Sequence, residues 1–353
     1  MVDAVAPPRR RVNPWIVARW MAFAAYFVVF VWFMGRTGIP FDRERLLLWI
    51  VGGLVVVSIG RPWRTLPRMF LDWSIFIVGI TLYDFARGAA RFVDAPIQVT
   101  PQAEVDKIFG LGQIPTVWLQ ENFLHAKAHW WDAAASIIYA THFILPFVVA
   151  GVLWAKDRVD WRWFASRFLV LCFLGCVTYA IVPTAPPWYA SQIGEIGDVV
   201  RSTGRGWQII HINAAETLIK KGQLVGNAFA AIPSLHAAWA ALVATAVWRR
   251  VKGPVRWAVF VYPAAMALTL VYTGEHYFID AVVGWLYLAG ICFALPRIED
   301  AWRRWRHPEE PPDAEPATSG LPSSADAVMA ASVRDLPSAH APGGHEPHTQ
   351  PSA

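Results

Sequence analysis

The sequence predicts an all-α membrane protein, a bundle of roughly six to eight transmembrane helices, on three observations. Of its 353 residues, 56% are hydrophobic and only 16% are charged, which departs from the proportions of a soluble globular domain. Apolar runs long enough to cross or nearly cross a bilayer recur along the chain. They lack the polar face that a soluble helix shows at 3.6-residue spacing. Basic clusters fall on alternate connections between those runs.

In chain order the expected spans run roughly Pro14 to Met34, Leu46 to Ile59, Met69 to Tyr83, Ala133 to Trp154, Phe164 to Val182, Ala228 to Trp248, Trp257 to Thr273 and Ile279 to Leu295. The second and third have about 15 residues each, near the lower limit for a crossing at 1.5 Å rise per residue. The first run follows Arg9, Arg10 and Arg11 and lacks a small-residue cleavage site, so it reads as an anchored span rather than a cleaved signal. The cysteines, Cys172, Cys176 and Cys292, all fall inside expected spans, where a small apolar thiol needs no disulfide or metal.

Arg61/Arg64/Arg68, Lys156/Arg158/Arg162/Arg167, Arg249/Arg250/Lys252/Arg256 and Arg297/Arg303/Arg304/Arg306 form the basic loops. The opposite loops mix their cations with Asp42, Glu44, Asp84, Asp94, Glu104, Asp106 and Glu121. This asymmetry predicts cytoplasmic termini. The expected division is N-terminal spans over residues 1–68, a catalytic membrane domain over 69–300 and a tail over 301–353. From about His307 that tail is rich in Pro, Ala, Ser and acids and too poor in large apolar residues to offset its ordering entropy, so disorder is expected there. Its His340, His345 and His348 read as solvated. The long exoplasmic loops, roughly Asp84 to Asp132 and Pro183 to Asn227, exceed ordinary helix connections and should cover a site. Their aromatic stretches suit headgroup-level helices.

Two segments carry the chemistry: Ile232-Pro233-Ser234-Leu235-His236 and Gly274-Glu275-His276-Tyr277-Phe278-Ile279-Asp280. The span order puts both on one membrane face. If the chain is helical from about Tyr277, His276 and Asp280 stand four apart, and the carboxylate can accept a hydrogen bond that fixes the tautomer and raises the basicity of the ring. An oriented imidazole can attack phosphorus while a second protonates the leaving alkoxide. Pro233 is expected in the first helical turn, where free N–H groups and the Ser234 hydroxyl would cradle phosphate oxygens. Each histidine alone reads as a packed or interfacial side chain; together they read as a site. A zinc reading has two ligands from H-x3-D and no local residues to complete a set, so no metal and no cofactor is expected.

These residues resemble the type 2 phosphatidic acid phosphatase superfamily, whose second signature is Pro-Ser-x-His and whose third ends in His-x3-Asp. The resemblance spans roughly Tyr83 to Leu295 and implies a six-helix core. It also implies roles: His276 as nucleophile, Asp280 as its orienting carboxylate and His236 as general acid. The usual Ser-Arg ahead of the third signature is replaced by Thr269 and Leu270. Arg61-Pro62 lacks the first signature's lysine, with Leu54 at that position, and falls on the cytoplasmic side, outside the expected site. These departures are similar to the inositol phosphorylceramide synthase branch, in which a Pro-Thr-Ala-Pro-Pro-Trp-Tyr stretch precedes Pro-Ser-Leu-His. Here that stretch is Pro183 to Tyr189, and Ala228 to Ile232 also looks like the run that this branch places before its Pro-Ser-Leu-His.

With the usual cations absent, another group must neutralise the phosphate. Arg87 is the first candidate, sharing a helical face with Asp84 and Arg91; Lys220 and Lys221 are alternatives. Ser234, Arg87, Asp84, Tyr189 and Lys221 make up the expected phosphate- and substrate-binding set. An interfacial Arg87 paired with Asp84 is the plainer reading. His142, mid-span, and Asp72, one turn from Arg68, stay outside the set.

The expectation is a phosphohistidine phosphotransferase that accepts a head-group phosphate from a phospholipid, phosphatidylinositol on the resemblance, and passes it to an alcohol on a lipid or glycan. A lipid phosphate phosphatase would use the same residues with water as acceptor. From another class, a lipid transporter or a scaffold with a degenerate site would show repeated broken spans, and no such pair stands out. The expected location is a bacterial plasma membrane with the site on the exoplasmic face, and no nucleic-acid partner is expected.

Overall fold

The computed structural model describes residues 14–37, 43–89, 95–210 and 227–306. Over them the chain is helical, and among the described residues there is no β-strand, only the isolated bridges Gln98–Thr184 and Thr184–Ala230. The helices are α1 (Pro14–Thr37), α2 (Arg43–Val57), α3 (Thr65–Ala89), α4 (Pro101–Phe109), α5 (Pro115–Phe123), α6 (Trp130–Lys156), α7 (Arg158–Ile181), α8 (Pro187–Gln192), α9 (Leu235–Trp248), α10 (Val261–Tyr272) and α11 (Phe278–Arg306). Among the described residues, six segments are long and apolar enough to cross a membrane: α1, α3, α6, α7, the Pro254–Tyr272 segment and α11. The protein is a multi-pass helical membrane bundle.

Expected spans and observed helices differ in their bounds. The third extends to 25 residues because Thr65 and the turns after Asp84 join it. The second stays at 15 residues, and the sixth begins only at Leu235, since Asn227 to Ser234 forms turns and bridges. Both are apolar helices below crossing length by themselves. By internal contacts the chain divides into residues 1–298 and 299–353; within the second, the described residues are the last turns of α11. Arg91, Lys220, Lys221 and the tail histidines His340, His345 and His348 lie outside the described residues.

The core gathers on α3, α6, α7 and α9, where Trp73, Phe76, Phe147, Phe164, Phe168, Trp239 and Leu242 are almost wholly buried. Phe168 lies 4.3 Å from Trp239 and 5.4 Å from Phe76, centroid to centroid. Lipid tails are as apolar as these side chains, so close packing rather than escape from water holds such helices together. Outside this cluster, α1 leans on α2 through Tyr26, Phe30 and Phe33, which surround Trp49 at 5.0 to 5.5 Å.

The two ends of the bundle differ. At one, Asp157 caps α7 by accepting from the N–H groups of Val159 and Asp160, which turns α6 directly into α7. Arg249 and Arg250 at the end of α9 pair with Asp160 at 3.4 and 2.7 Å. Asp72 also lies at this end, bonded to Trp154 Nε1 at 2.8 Å and to Arg158. Arg158, rather than Arg68, is its ion-pair partner. Arg61 donates to the Ala155 carbonyl here, far from the second and third signatures.

At the other end the two long loops form a roof. Their short helices α4, α5 and α8 each carry proline in the first turn, where a missing N–H costs nothing. Gln120 of α5 clamps the loops together, donating to the Val200 and Tyr272 carbonyls and accepting from the Val200 N–H at 2.8 to 2.9 Å. Ser136 of α6 accepts from Gly206 N–H and donates to the Thr203 carbonyl. Backbone there approaches backbone so closely that a Cβ on Gly206 would lie 2.1 Å from the Asp132 carbonyl oxygen.

Candidate active site

The Pro-Ser-Leu-His segment is built as a helix start, though the helix begins later than expected. Ser234, with extended φ and ψ, is the N-cap, and Pro233 stands just before it rather than in the first turn. The Ser234 oxygen accepts from Ala237 N–H at 3.4 Å, a long bond, and is fully buried. Around it, Tyr179 donates to the Pro233 carbonyl and Ile232 N–H donates to Thr184 Oγ1, both at 2.8 Å.

The second segment follows a helix stop. Gly274, at φ 75°, turns the chain out of α10, with Gly274 N–H on the Val271 carbonyl and Glu275 N–H on the Leu270 carbonyl. This is the Schellman arrangement, which favours glycine at the left-handed position. His276 therefore leaves a rigid turn and precedes α11 by two residues. Asp280, in the first turn of α11, accepts from Tyr277 N–H at 3.0 Å and faces His276 Nδ1 at 3.3 Å with the same oxygen. Both side chains are buried.

The segments are docked on each other by backbone. Ser234 N–H donates to the Asp280 carbonyl at 2.9 Å, and a Cβ on Gly284 would lie only 2.5 Å from the Ser234 carbonyl oxygen. The His236 and His276 rings face edge to face-on with centroids 5.5 Å apart. With Nδ1 turned to Asp280, His276 has Nε2 for chemistry. His236 is half-buried beneath the roof. It stacks on Tyr139 at 5.2 Å and lies 3.9 Å from the His142 ring, which in turn stacks on Trp239 at 4.6 Å and 9°. His142, left out on sequence grounds, is thus in van der Waals contact with the site.

Charge comes from two arginines. Arg87, half-buried on the last turns of α3, lies 5.9 Å from the Tyr83 ring, and its charge reaches His236. Asp84, exposed one turn earlier, acts electrostatically on Arg87 rather than meeting the histidines. Arg201 was not foreseen. Its Nε and Nη2 grip both oxygens of Glu275 at 2.7 Å, its guanidinium lies over Trp188 at 5.1 Å, and its charge also reaches His236. The signal for it was Glu275: a carboxylate beside the histidine, 7% exposed, calls for a cation.

The Pro183 to Tyr189 stretch is a tie between both motifs. Thr184 bridges to Gln98 and Ala230, and Trp188 N–H donates to the Gly274 carbonyl at 3.2 Å. Tyr189 is half-buried and packs edge-on against Phe229 at 5.0 Å. Lys221 lies outside the described residues. Among the described residues no group of three or more His, Cys, Asp or Glu side chains could hold a metal ion. Cys172, Cys176 and Cys292 carry free thiols.

Residues 106–295 match the family described as the PAP2 superfamily. The chain is 30% identical over 268 residues to a protein of Bacteroides thetaiotaomicron named phosphoinositol dihydroceramide synthase, covering 69% of this chain and 84% of that one. It is also 30% identical over 172 residues to the inositol phosphorylceramide synthase catalytic subunit of Schizosaccharomyces pombe, covering 46% of this chain and 40% of the yeast protein. No solved structure matches. The family match includes both histidine segments and most of the roof that ties them, and the chain belongs to the PAP2 superfamily, as a membrane phosphotransferase or phosphatase on its inositol phosphorylceramide synthase-like side.

Proposed function

We propose that the protein transfers a phosphate-linked head group, inositol phosphate from phosphatidylinositol, to the hydroxyl of a ceramide-type lipid through a phosphohistidine on His276. The observation that carries this reading is the His276–Asp280 pair at 3.3 Å beside His236 at a 5.5 Å ring separation. The name of the bacterial relative supports the choice of donor and acceptor.

The reaction runs in two displacements. His276 Nε2 attacks phosphorus, a P–N bond forms, and the bond from phosphorus to the diacylglycerol oxygen breaks. His236 gives its proton to that oxygen, so diacylglycerol leaves as the alcohol. The acceptor hydroxyl then loses its proton to His236 and attacks phosphorus, and the P–N bond breaks to restore His276. Asp280 stabilises the imidazolium character that develops on His276. Arg87 and Arg201 offset the negative charge on the equatorial oxygens, with the Ser234 helix start as a further donor set. Tyr189, Asp84 and Lys221 complete the proposed substrate-binding set.

The roof favours transfer over hydrolysis by restricting water, since an acceptor held beside phosphorus competes by proximity. The positive-inside asymmetry supports cytoplasmic termini and a site on the exoplasmic face, and the proposed setting is a catalytic domain over residues 69–300 in a bacterial plasma membrane. The test is to incubate purified protein in lipid vesicles with labelled phosphatidylinositol or phosphatidic acid and a ceramide, comparing wild type with His276→Ala. Label moving from phosphatidylinositol to ceramide, lost in His276→Ala, is the expected result. Inorganic phosphate released from phosphatidic acid would make the protein a phosphatase. Turnover retained in His276→Ala would end the phosphohistidine mechanism.

A further inference from the structure

We infer that Asp106, on roof helix α4, is a positioning residue for the catalytic pair, holding the first turn of α11 so that Asp280 meets His276. The inference rests on the phosphohistidine reading above. The first N–H groups of any helix lack intrahelical acceptors. In α11, Asp280 takes that of Tyr277, and those of Phe278 and Ile279 go to the two oxygens of Asp106, each at 2.8 Å. Asp106 is completely buried and 172 residues away in sequence from the nearer of them. The helix is therefore capped from another element, where a local Ser or Asp would have served for stability alone.

The geometry makes this cap part of the site. One bidentate carboxylate on two successive N–H groups fixes both the rotation and the height of the first helical turn. Asp280 is the next residue in that turn, and His276 Nδ1 rests on its carboxylate. The same turn gives its Asp280 carbonyl to Ser234 N–H, so its placement also sets His236 relative to His276. Phe109, one turn after Asp106, packs on Phe278 at 5.1 Å and keeps α4 seated.

The charges facing Asp106 come from both elements. Asp280 opposes it across the turn, and Tyr277 lies within electrostatic range of both carboxylates. On α4 itself, Glu104 and Lys107 are paired with each other at 2.6 Å and exposed. Burial pushes the Asp106 carboxyl up to about 6 against the pull of the two N–H groups. For folding near neutral pH, a buried ionised carboxylate is a cost. Its use is that only the ionised form offers an acceptor oxygen to each N–H; an amide offers one oxygen and points an NH2 at the other.

The test compares wild type, Asp106→Asn and Asp106→Ala for kcat, KM and thermal midpoint in the vesicle transfer assay, with His276→Ala alongside. Displacement of a catalytic group by about 1 Å costs on the order of a hundredfold in rate. Asp106→Asn is expected to lower kcat about a hundredfold with KM within about twofold and the thermal midpoint unchanged or raised. Asp106→Ala is expected to be slower still. An Asp106→Asn enzyme whose kcat matches wild type, or whose loss lies in KM alone, overturns the positioning role while an inactive His276→Ala leaves the phosphohistidine reading standing. Turnover in His276→Ala overturns both. Should Asp106→Ala fail to fold, Asp106→Asn, which keeps the volume, decides.

Discussion

Replacing Gly284 by alanine should separate His236 from His276 without unfolding the protein. Its Cβ would lie 2.5 Å from the Ser234 carbonyl oxygen, whereas ordinary contact begins at 3.4 Å. The neighbour is backbone, which cannot rotate aside as a side chain can. The two segments must part by about 0.9 Å, the difference between those distances. Ser234 N–H now sits 2.9 Å from the Asp280 carbonyl, so a shift of that size ends the bond joining the motifs.

Overpacking of this kind costs about 1 to 3 kcal/mol. Alanine in mid-helix returns about 1 kcal/mol over glycine, so net stability should change little. Rate should not be spared, because about 1 Å of misplacement costs on the order of a hundredfold. Gly290, on the same helix with nothing within 4 Å of its prospective Cβ, is the matched control. We expect Gly284→Ala to lose about a hundredfold in kcat with a thermal midpoint near wild type, and Gly290→Ala to keep full activity. Gly284→Ala enzyme with wild-type kcat would refute the view that this backbone contact sets the His236–His276 spacing.

Three further outcomes follow from the same geometry. Arg201→Gln should lower kcat/KM for phosphatidylinositol by about 10²- to 10³-fold, the loss typical of one oxyanion donor, as measured by initial rates in vesicles. His142→Phe, which keeps a ring against His236 and Trp239, should retain more activity than His142→Ala, whose kcat falls as His236 loses its stacking partner. The Asp106 carboxyl is raised in the fold, so the native state holds its proton more tightly than the unfolded chain. Its contribution to stability therefore falls as pH rises from about 4 to about 6, by up to ~3 kcal/mol, and is flat above. Thermal midpoints in detergent across that window should show the slope in wild type and lose that component in Asp106→Asn.

Much of the bundle was legible because lipid imposes a simple rule on sequence: a long apolar run becomes a helix, the element that satisfies its backbone within the segment itself. Errors occurred where that rule does not apply. Residues 228–234 are apolar enough to extend α9, yet Pro233 has no N–H and Ser234 takes the N-cap, so the helix begins at Leu235. Conversely, the sequence ends the third span at Tyr83, before Asp84 and Arg87, but charged groups near a helix end can reach the interface while their backbone stays helical, and α3 runs on to Ala89.

The His276–Asp280 contact was legible for a local reason, since residues four apart across a helix start meet whatever the rest of the fold does. Arg201 and Asp106 were not, because each acts through a partner brought near by the roof: Glu275 is 74 residues from Arg201, and Phe278 is 172 from Asp106. Yet the partners carried a trace of both. Glu275 is a carboxylate next to a proposed nucleophile, and it needed a cation. The Tyr277-Phe278-Ile279 start of α11 has no Ser, Thr or Asn to cap it. A buried helix end without a local acceptor must borrow one, and the acids on the facing loop were the place to look. The long loops are therefore more than a cover. On the proposed mechanism, Arg201's guanidinium and Asp106's carboxylate make the roof the source of both the charge and the alignment that the two histidine segments lack on their own.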